Sequence, residues 1–230
     1  MNGLELYAKI EQYLDFSDEV AKLHNLFLGI VDEISPKTLL DIGCGQGGFL
    51  NQLDSSIESF GIDLSQNQIT IAKSKNLCVE CMDLKELNKN FDMQTAIFDV
   101  INYIPPKELN SFFNKCYQTL NQNGYFVFDI NTLFGFDEIA QGSLAIDKDE
   151  IFISVDAYFE DNILNTHITT FNKNSDNCYT KEQGTIKQYY HTNEFLKKEL
   201  LKIGFEIEQI LDFRLHSINK ADKQIFICKK

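Results

Sequence analysis

A chain of 230 residues with 43% hydrophobic residues is long enough for one domain with a sizeable core and short for two. Its formal net charge of -13, with Arg214 as its one arginine and no basic run longer than a lysine pair such as Lys229 and Lys230, argues against a nucleic-acid partner, because phosphate binding rests on clustered cations. The first residues, MNGLELYAKIEQYL, carry acidic groups and no long apolar run, so they read as neither a signal peptide nor a membrane span, and a cytoplasmic protein with no membrane partner is expected.

In chain order, residues 17 to 34 place Val20, Leu23, Phe27, Val31 and Ile34 at helical spacing, with Ser17 as N-cap and Pro36 as stop. Apolar runs then alternate with helical patterns: strand 38 to 42, helix near 46 to 54, strand 57 to 62, helix 66 to 75, strands 77 to 81 and 94 to 98, helix 106 to 121, strand 124 to 130. Such alternation predicts an α/β fold, a parallel sheet with helices on both faces. Residues 134 to 192 break the pattern: three stretches read as antiparallel strands, the first two joined across Asp161 and Asn162, and form a small cap inserted after strand five. Helix 193 to 203 stops at Gly204, and FEIEQIL and KQIFICK follow as two strands close enough to pair antiparallel. The expected organisation is a single domain over 1–230, with N-terminal helices in 1–35 and the β cap in 134–192. The six cysteines are scattered; Cys78 and Cys81 form C-x-x-C, but no second pair follows at zinc spacing, so buried thiols and no metal are expected.

The stretch LLDIGCGQGGFL ends the first predicted strand of the sheet with four glycines in six positions. Gly43, Gly45 and Gly48 spell the dinucleotide pattern G-x-G-x-x-G, while Asp41, Gly43, Gly45 and Gly47 spell D-x-G-x-G-x-G. Ligands of such sheets sit at the carboxyl ends of the strands. Asp63, ending the next strand, suits the two hydroxyls of a ribose under either template. Discrimination comes from later stretches: CMDL offers Met82 and Leu84 as apolar faces and Asp83 as an acceptor for an exocyclic amine, as an adenine requires, with FDVINY and LNQNGYFVFDINT beyond.

The motifs D-I-G-C-G-Q-G, G-I-D, M-D-L, F-D-V-I-N-Y and L-x-x-x-G-Y-F-x-F-D, in that order over about three quarters of the chain, resemble class I S-adenosylmethionine-dependent methyltransferases. The resemblance implies a Rossmann-like seven-stranded sheet with an antiparallel last strand, S-adenosylmethionine as cofactor and S-adenosylhomocysteine as product. It also implies cofactor roles for Asp41, Gly43, Gly45, Gly47, Asp63, Leu64, Met82, Asp83, Leu84, Phe98 and Asp99. One departure stands out: Gln122, Asn123 and Gly124 replace the Pro-Gly-Gly turn of many members. The insertion resembles that of small-molecule enzymes acting on amino sugars, glycine or phosphoramidates of capsular precursors. The acceptor is therefore expected to be an N or O atom of a small polar metabolite, and the protein a monomer or homodimer. NYIPP has the wrong letter order for the motif of nucleic-acid amine methyltransferases.

Tyr13, Phe16, Tyr103 and Tyr190 are candidate rings near a sulfonium. His191, in QYYHT where the cap returns to the sheet, is the first candidate for a proton acceptor or an anion partner, with Tyr190 beside it. Asp129 and Asn131, ending FDIN, are expected in the cleft as a base and a polar anchor. His167 reads as a solvated strand residue, His24 and His216 as structural, and Arg214 as a solvated charge. Two competing readings are a nicotinamide-dependent oxidoreductase and a non-catalytic S-adenosylmethionine-binding homologue.

Overall fold

The structure, a computed structural model, describes residues 3–174 and 178–230; Met1 and Asn2 of the expected N-terminal segment and residues 175–177 of the expected cap lie outside them. Five strands, β1 (Thr38–Ile42), β2 (Glu58–Asp63), β3 (Val79–Cys81), β4 (Phe91–Ala96) and β5 (Leu120–Asn131), run parallel. After β5 the chain leaves for a second, antiparallel sheet of four strands, β6 (Gly142–Lys148), β7 (Ile151–Glu160), β8 (Ile163–Lys173) and β9 (Tyr179–Tyr189). It returns with β10 (Glu206–Phe213) and β11 (Lys223–Lys229), and β11 pairs antiparallel with both β5 and β10. The large sheet has seven strands in the order β10-β11-β5-β4-β1-β2-β3.

Strand periodicity explains how the sheet is covered. Neighbouring residues point to opposite faces, and the central strands are apolar at both. Leu40, Phe126, Phe128 and Phe226 pack on one side with Leu109 and Phe113 of α4 (Pro106–Gln118) and Leu196 and Leu200 of α5 (Asn193–Ile203). Leu39, Val127 and Ile225 pack on the other with Leu23, Phe27 and Val31 of α2 (Ser17–Ile34) and with Ile69 and Ala72 of α3 (Gln66–Ser74). Local chemistry sets the helix ends. The Ser65 hydroxyl accepts from Gln68 N and the Thr192 hydroxyl from Phe195 N, both at 3.2 Å, and α5 stops at Gly204, whose φ of 117° lies in the left-handed region.

A third core joins the two sheets through the N-terminal helix α1 (Gly3–Ile10), whose Leu6 and Ile10 pack on Ile153, Ile168 and Ile186 of the antiparallel sheet. A Cβ on Gly3 would stand 2.4 Å from the Thr185 carbonyl oxygen, so only glycine lets the helix approach β9 this closely. The β7–β8 hairpin turns at Asp161 and Asn162, both with positive φ, between paired Glu160 and Ile163. This is the two-residue turn that matches strand twist.

Several elements differ from expectation. The antiparallel sheet has a fourth strand, β6, an edge strand whose residues are almost all exposed and therefore show no burial alternation. The helix expected near 46–54 is a glycine loop and a single 3₁₀ turn at Leu50–Gln52. The expected 94–98 strand lies earlier, at Phe91–Ala96, and α4 ends at Gln118 rather than 121. Ser17 is the first residue of α2 and makes no capping bond; Phe16 precedes it. Gln122, Asn123 and Gly124 sit within β5 at an irregularity of its register against β4, with Asn123 at φ 63°. All six cysteines are free thiols, but Cys78, Cys81 and Cys178 are exposed rather than buried. Among the described residues no helix is long and apolar enough to cross a membrane.

Phe113 is fully buried, with its ring 5.9 Å from Phe128 and 6.2 Å from Phe126. Phe113→Ala is expected to lower the unfolding free energy by about 3–5 kcal/mol, read from urea denaturation.

Candidate active site

The carboxyl ends of β1, β2, β4 and β5 open into one cleft of about 1060 Å³, walled by α2 on one side, α4 on another and α1 across the mouth. At its floor the glycine loop resolves the ambiguity of its two templates. Gly43, Gly45 and Gly47 have φ of 73°, 53° and 74°, whereas Gly48 is absent from the positive-φ set. The third special position is therefore Gly47, as D-x-G-x-G-x-G requires. Each glycine has its own reason. A Cβ on Gly43 would meet Val100 at 2.7 Å and one on Gly47 would meet Leu77 at 2.2 Å, while at Gly45 it would point into open space. Gly45 bares its backbone to the cleft, and Gly47 packs behind it.

Two carboxylates bracket the loop. Asp63 accepts from Gly45 N at 2.9 Å and from Ser65 N at 2.8 Å; burial raises its pKa against the pull of those two donors. Asp41 is buried in β1 and accepts only from the Thr95 hydroxyl, at 2.7 Å, so burial pushes its pKa up to about 7, with the Asp63 charge adding to the shift. Met82, Asp83 and Leu84 line the far end of the cleft beside exposed Leu64. Asp83 also starts a 3₁₀ turn, accepting from Lys85 N at 2.9 Å.

At the opposite end, the segment after β4 is held in an unusual shape. Phe98 and Asp99 both have positive φ, rare for residues with side chains. Their N–H groups donate to the two oxygens of Asp129, at 2.7 and 3.2 Å. Lys223, at the start of β11, donates to Asp129 at 2.8 Å, to Asn131 at 3.2 Å and to Asp99. Burial works against this ammonium, but Asp129 and Asp99 outweigh it and hold its pKa above the ordinary value. Burial also raises the Asp129 carboxyl, against the pull of Lys223. Asn102, fully buried, accepts from Asn131 N at 3.0 Å and donates to the Tyr189 carbonyl at 2.9 Å, tying this segment to the cap. From β9, Gln188 reaches Asp99 at 3.4 Å.

The sequence-derived candidates separate on this geometry. Asp41, Gly43, Gly45, Asp63, Leu64, Met82, Asp83, Leu84, Phe98, Asp99, Tyr103 and Asn131 line the cleft. Five others do not: Asp129, His191, Tyr190, Tyr13 and Gly47, the last because it packs behind Gly45 against Leu77. Asp129 is fully buried beneath the 98–99 segment with both oxygens engaged, so it shapes the wall rather than facing it. His191 is 2% exposed; its Nε2 lies 3.1 Å from the Ile104 carbonyl, its ring packs near Phe195, and burial lowers its pKa. Tyr190 stacks edge-on against Phe136, and Tyr13 packs on the third core. His167 is exposed on β8, bonded to the Thr185 hydroxyl, and Arg214 lies in a separate open depression with Lys220.

Sequence reasoning missed Lys223, Asn102, Gln188, Glu11 and Tyr7. Only the pairing of Lys223 with Asn131 across β5 and β11 would have marked the lysine as sharing a face with Asp129. Glu11, in the 3₁₀ turn after α1, accepts from Gln46 of the glycine loop at 2.9 Å and from Gln68 of α3 at 2.8 Å. Tyr7 and Tyr103 stand near one another, their pKa values raised by burial and then by neighbouring charges that include Asp99 and Glu11.

This architecture, a seven-stranded sheet with an antiparallel last strand and a glycine loop and acidic strand ends at one edge, is the class I S-adenosylmethionine-dependent methyltransferase fold. Residues 39–124 match the family described as a methyltransferase domain. A protein of Geobacillus sp. (strain WCH70) named as a methyltransferase is 25% identical over 210 residues, 84% of each chain. A solved S-adenosylmethionine-dependent methyltransferase from Clostridium acetobutylicum superposes with a TM-score of 0.77 at 22% identity, covering 98% of this chain and 96% of that one. A sugar N-methyltransferase from Streptoalloteichus sp. ATCC 53650 superposes with a TM-score of 0.73 at 16% identity, covering 97% and 92%. At these identities the two structures bear on fold, while the domain match bears on sequence. Residues 39–124 thus match a methyltransferase domain, and the chain as a whole has the fold of S-adenosylmethionine-dependent methyltransferases.

Two outcomes test the energetics of the site. The folded protein binds the Asp41 proton more tightly than the unfolded chain, so Asp41 makes stability fall as pH rises from 3.8 to about 7. Asp41→Asn should flatten that decline in urea titrations at stepped pH. Lys223→Met removes one partner of a buried ionic cluster and is expected to cost about 3–5 kcal/mol at pH 7 by the same measurement.

Proposed function

We propose that the protein transfers a methyl group from S-adenosylmethionine to an amine nitrogen of a small polar metabolite, an amino sugar being the class that fits. The observation that carries this reading is the convergence of Asp99, Glu11, Tyr7 and Tyr103 at one end of the cleft, where the packed cation, Lys223, already serves Asp99 and Asp129. A pocket end lined by carboxylates and phenols suits an amino group and hydroxyls. An anionic phosphoramidate oxygen would want a cation at this end, and Lys223 is already engaged by Asp99, Asp129 and Asn131. The sugar N-methyltransferase of similar fold is consistent with the same acceptor class.

The residues present fit the cofactor. Gly45 leaves its Cβ position open, Asp63 offers a carboxylate for ribose hydroxyls, and Met82 and Leu84 with Asp83 suit an adenine. The Asp41 carboxyl, strained toward neutrality by burial, suits a cationic amino group, which would draw its pKa back down. S-adenosylmethionine supplies a methyl group on a sulfonium, open to in-line displacement. The protein's own work is chiefly orientation, which in favourable cases contributes about 7–11 kcal/mol. Asp99, fixed by Lys223 and Gln188, and Asn131, fixed by Lys223, would hold the acceptor amine and its neighbouring hydroxyls. The α1 helix and the cap would exclude water from the reacting atoms.

Thermal shift gives the first check: S-adenosylhomocysteine should raise Tm and NADH should not, with the shift reduced in Asp63→Ala. Labelled methyl transfer to a panel of amino hexoses, beside phosphoramidate-bearing sugars, then reads the acceptor; label entering only the phosphoramidates would overturn the amine assignment.

A further inference from the structure

His216 and Asp222 sit on the connection between β10 and β11, and both line the cleft. The Asp222 carboxyl is buried, with 2% of its side chain exposed, and takes three donors: Leu215 N at 2.8 Å, His216 N at 3.0 Å and His216 Nδ1 at 2.8 Å. Burial works against this carboxylate, but the donors prevail and its pKa lies below the ordinary value. A carboxylate can only accept, so Nδ1 carries a proton, and in the neutral ring it is Nε2 that has the lone pair. The ring is 35% exposed, and its Nε2 has no protein partner among the described residues.

The backbone holding this pair is fixed independently. The Asp222 carbonyl accepts from Thr132 N at 2.9 Å, and a Cβ on Gly135 would stand 2.3 Å from that oxygen. The Lys22 ammonium from α2 bonds to the Arg214 and Leu215 carbonyls, pinning the other side of the connection. The residue after Asp222 is Lys223, which orients Asp99 and Asn131. The pair thus lines the cleft that holds Asp99 and Asn131 and adjoins Lys223 in the chain, with an oriented imidazole whose Nε2 has no protein partner among the described residues.

We infer that His216, oriented by Asp222, is a catalytic residue that accepts the proton released by the acceptor amine. This rests on the amine reading above. The nitrogen lone pair forms the new N–C bond, the methyl C–S bond breaks with its electron pair passing to sulfur, and the proton on nitrogen goes to His216 Nε2. A carboxylate behind the imidazole stabilises the imidazolium so formed.

Two measurements on the full chain test it. Side-chain ¹⁵N NMR should show His216 as the Nδ1–H tautomer in the wild type and lose that preference in Asp222→Asn. In labelled-methyl assays on the amino-hexose panel, His216→Ala should lower kcat by about 10²-fold. The same variant should bind S-adenosylhomocysteine within twofold of wild type and regain turnover on adding imidazole, which a loop-stabilising role would not produce. An Nε2–H tautomer, or His216→Ala with unchanged kcat, overturns the role of the pair while leaving methyl transfer to amines intact. Wild-type protein that binds S-adenosylhomocysteine yet methylates no amine in the panel overturns the amine reading, and the proton-accepting role with it.

Discussion

The cleft depends on one buried carboxylate. Asp129 accepts the N–H groups of two consecutive residues in left-handed conformation, and these bonds offset a geometry that costs each about 1–3 kcal/mol. The bent segment then distributes its parts. Asp99 turns to Lys223, Val100 packs against the bare Gly43, and Asn102 reaches both the end of β5 and the cap. Lys223 closes the arrangement from the antiparallel strand. Three strand ends and an inserted sheet thereby share one electrostatic knot, and the sheet's antiparallel edge is tied to the site as well as to the core.

A second set of contacts makes the N-terminus part of the site. Glu11 holds Gln46 and Gln68, Glu5 accepts from Gln66 N at 3.0 Å and Asn67 at 2.6 Å, and Lys9 pairs with Glu182 of β9 at 2.8 Å. Most of these are partly exposed polar bonds of modest individual worth. The apolar seam of Leu6 and Ile10 on the cap stabilises the docked helix more than they do. The N-terminal segment thereby bridges the cap and the glycine loop with α3, its apolar seam on the one and its polar contacts largely on the other.

Much of the fold was legible because its code is local. The short apolar runs of β1, β5 and β11, the period near four in α2, and the stops at Pro36 and Gly204 are each contained in a few consecutive residues, and they decide the layers. β6 escaped because an exposed edge strand has no face to bury, and the expected 46–54 helix failed because four glycines in six positions favour turns over helix. In the site, the residues adjoining a motif, such as Asp41, Asp63 and Met82, fell where strand ends must put them. Asp129 and His191 were misplaced for a shared reason: ending or following a strand does not say whether a side chain meets the cavity or the layer behind it. Lys223, Asn102 and Glu11 act across 29 to 124 positions of chain, and no local pattern announces such partners.

The glycine loop shows how a degenerate motif becomes specific through what packs around it. Gly43, Gly45 and Gly47 share a left-handed backbone, yet only Gly45 needs its missing side chain for the cleft; the other two make room for Val100 and Leu77. The constraint at Gly43 belongs to the segment after β4, which Asp129 shapes, and that at Gly47 belongs to the α3–β3 connection. Gly48, which the dinucleotide template would need, lies outside the positive-φ set, and a Cβ on it would meet His24 at an ordinary 3.4 Å. The spacing of glycines therefore records which neighbouring elements must approach the loop.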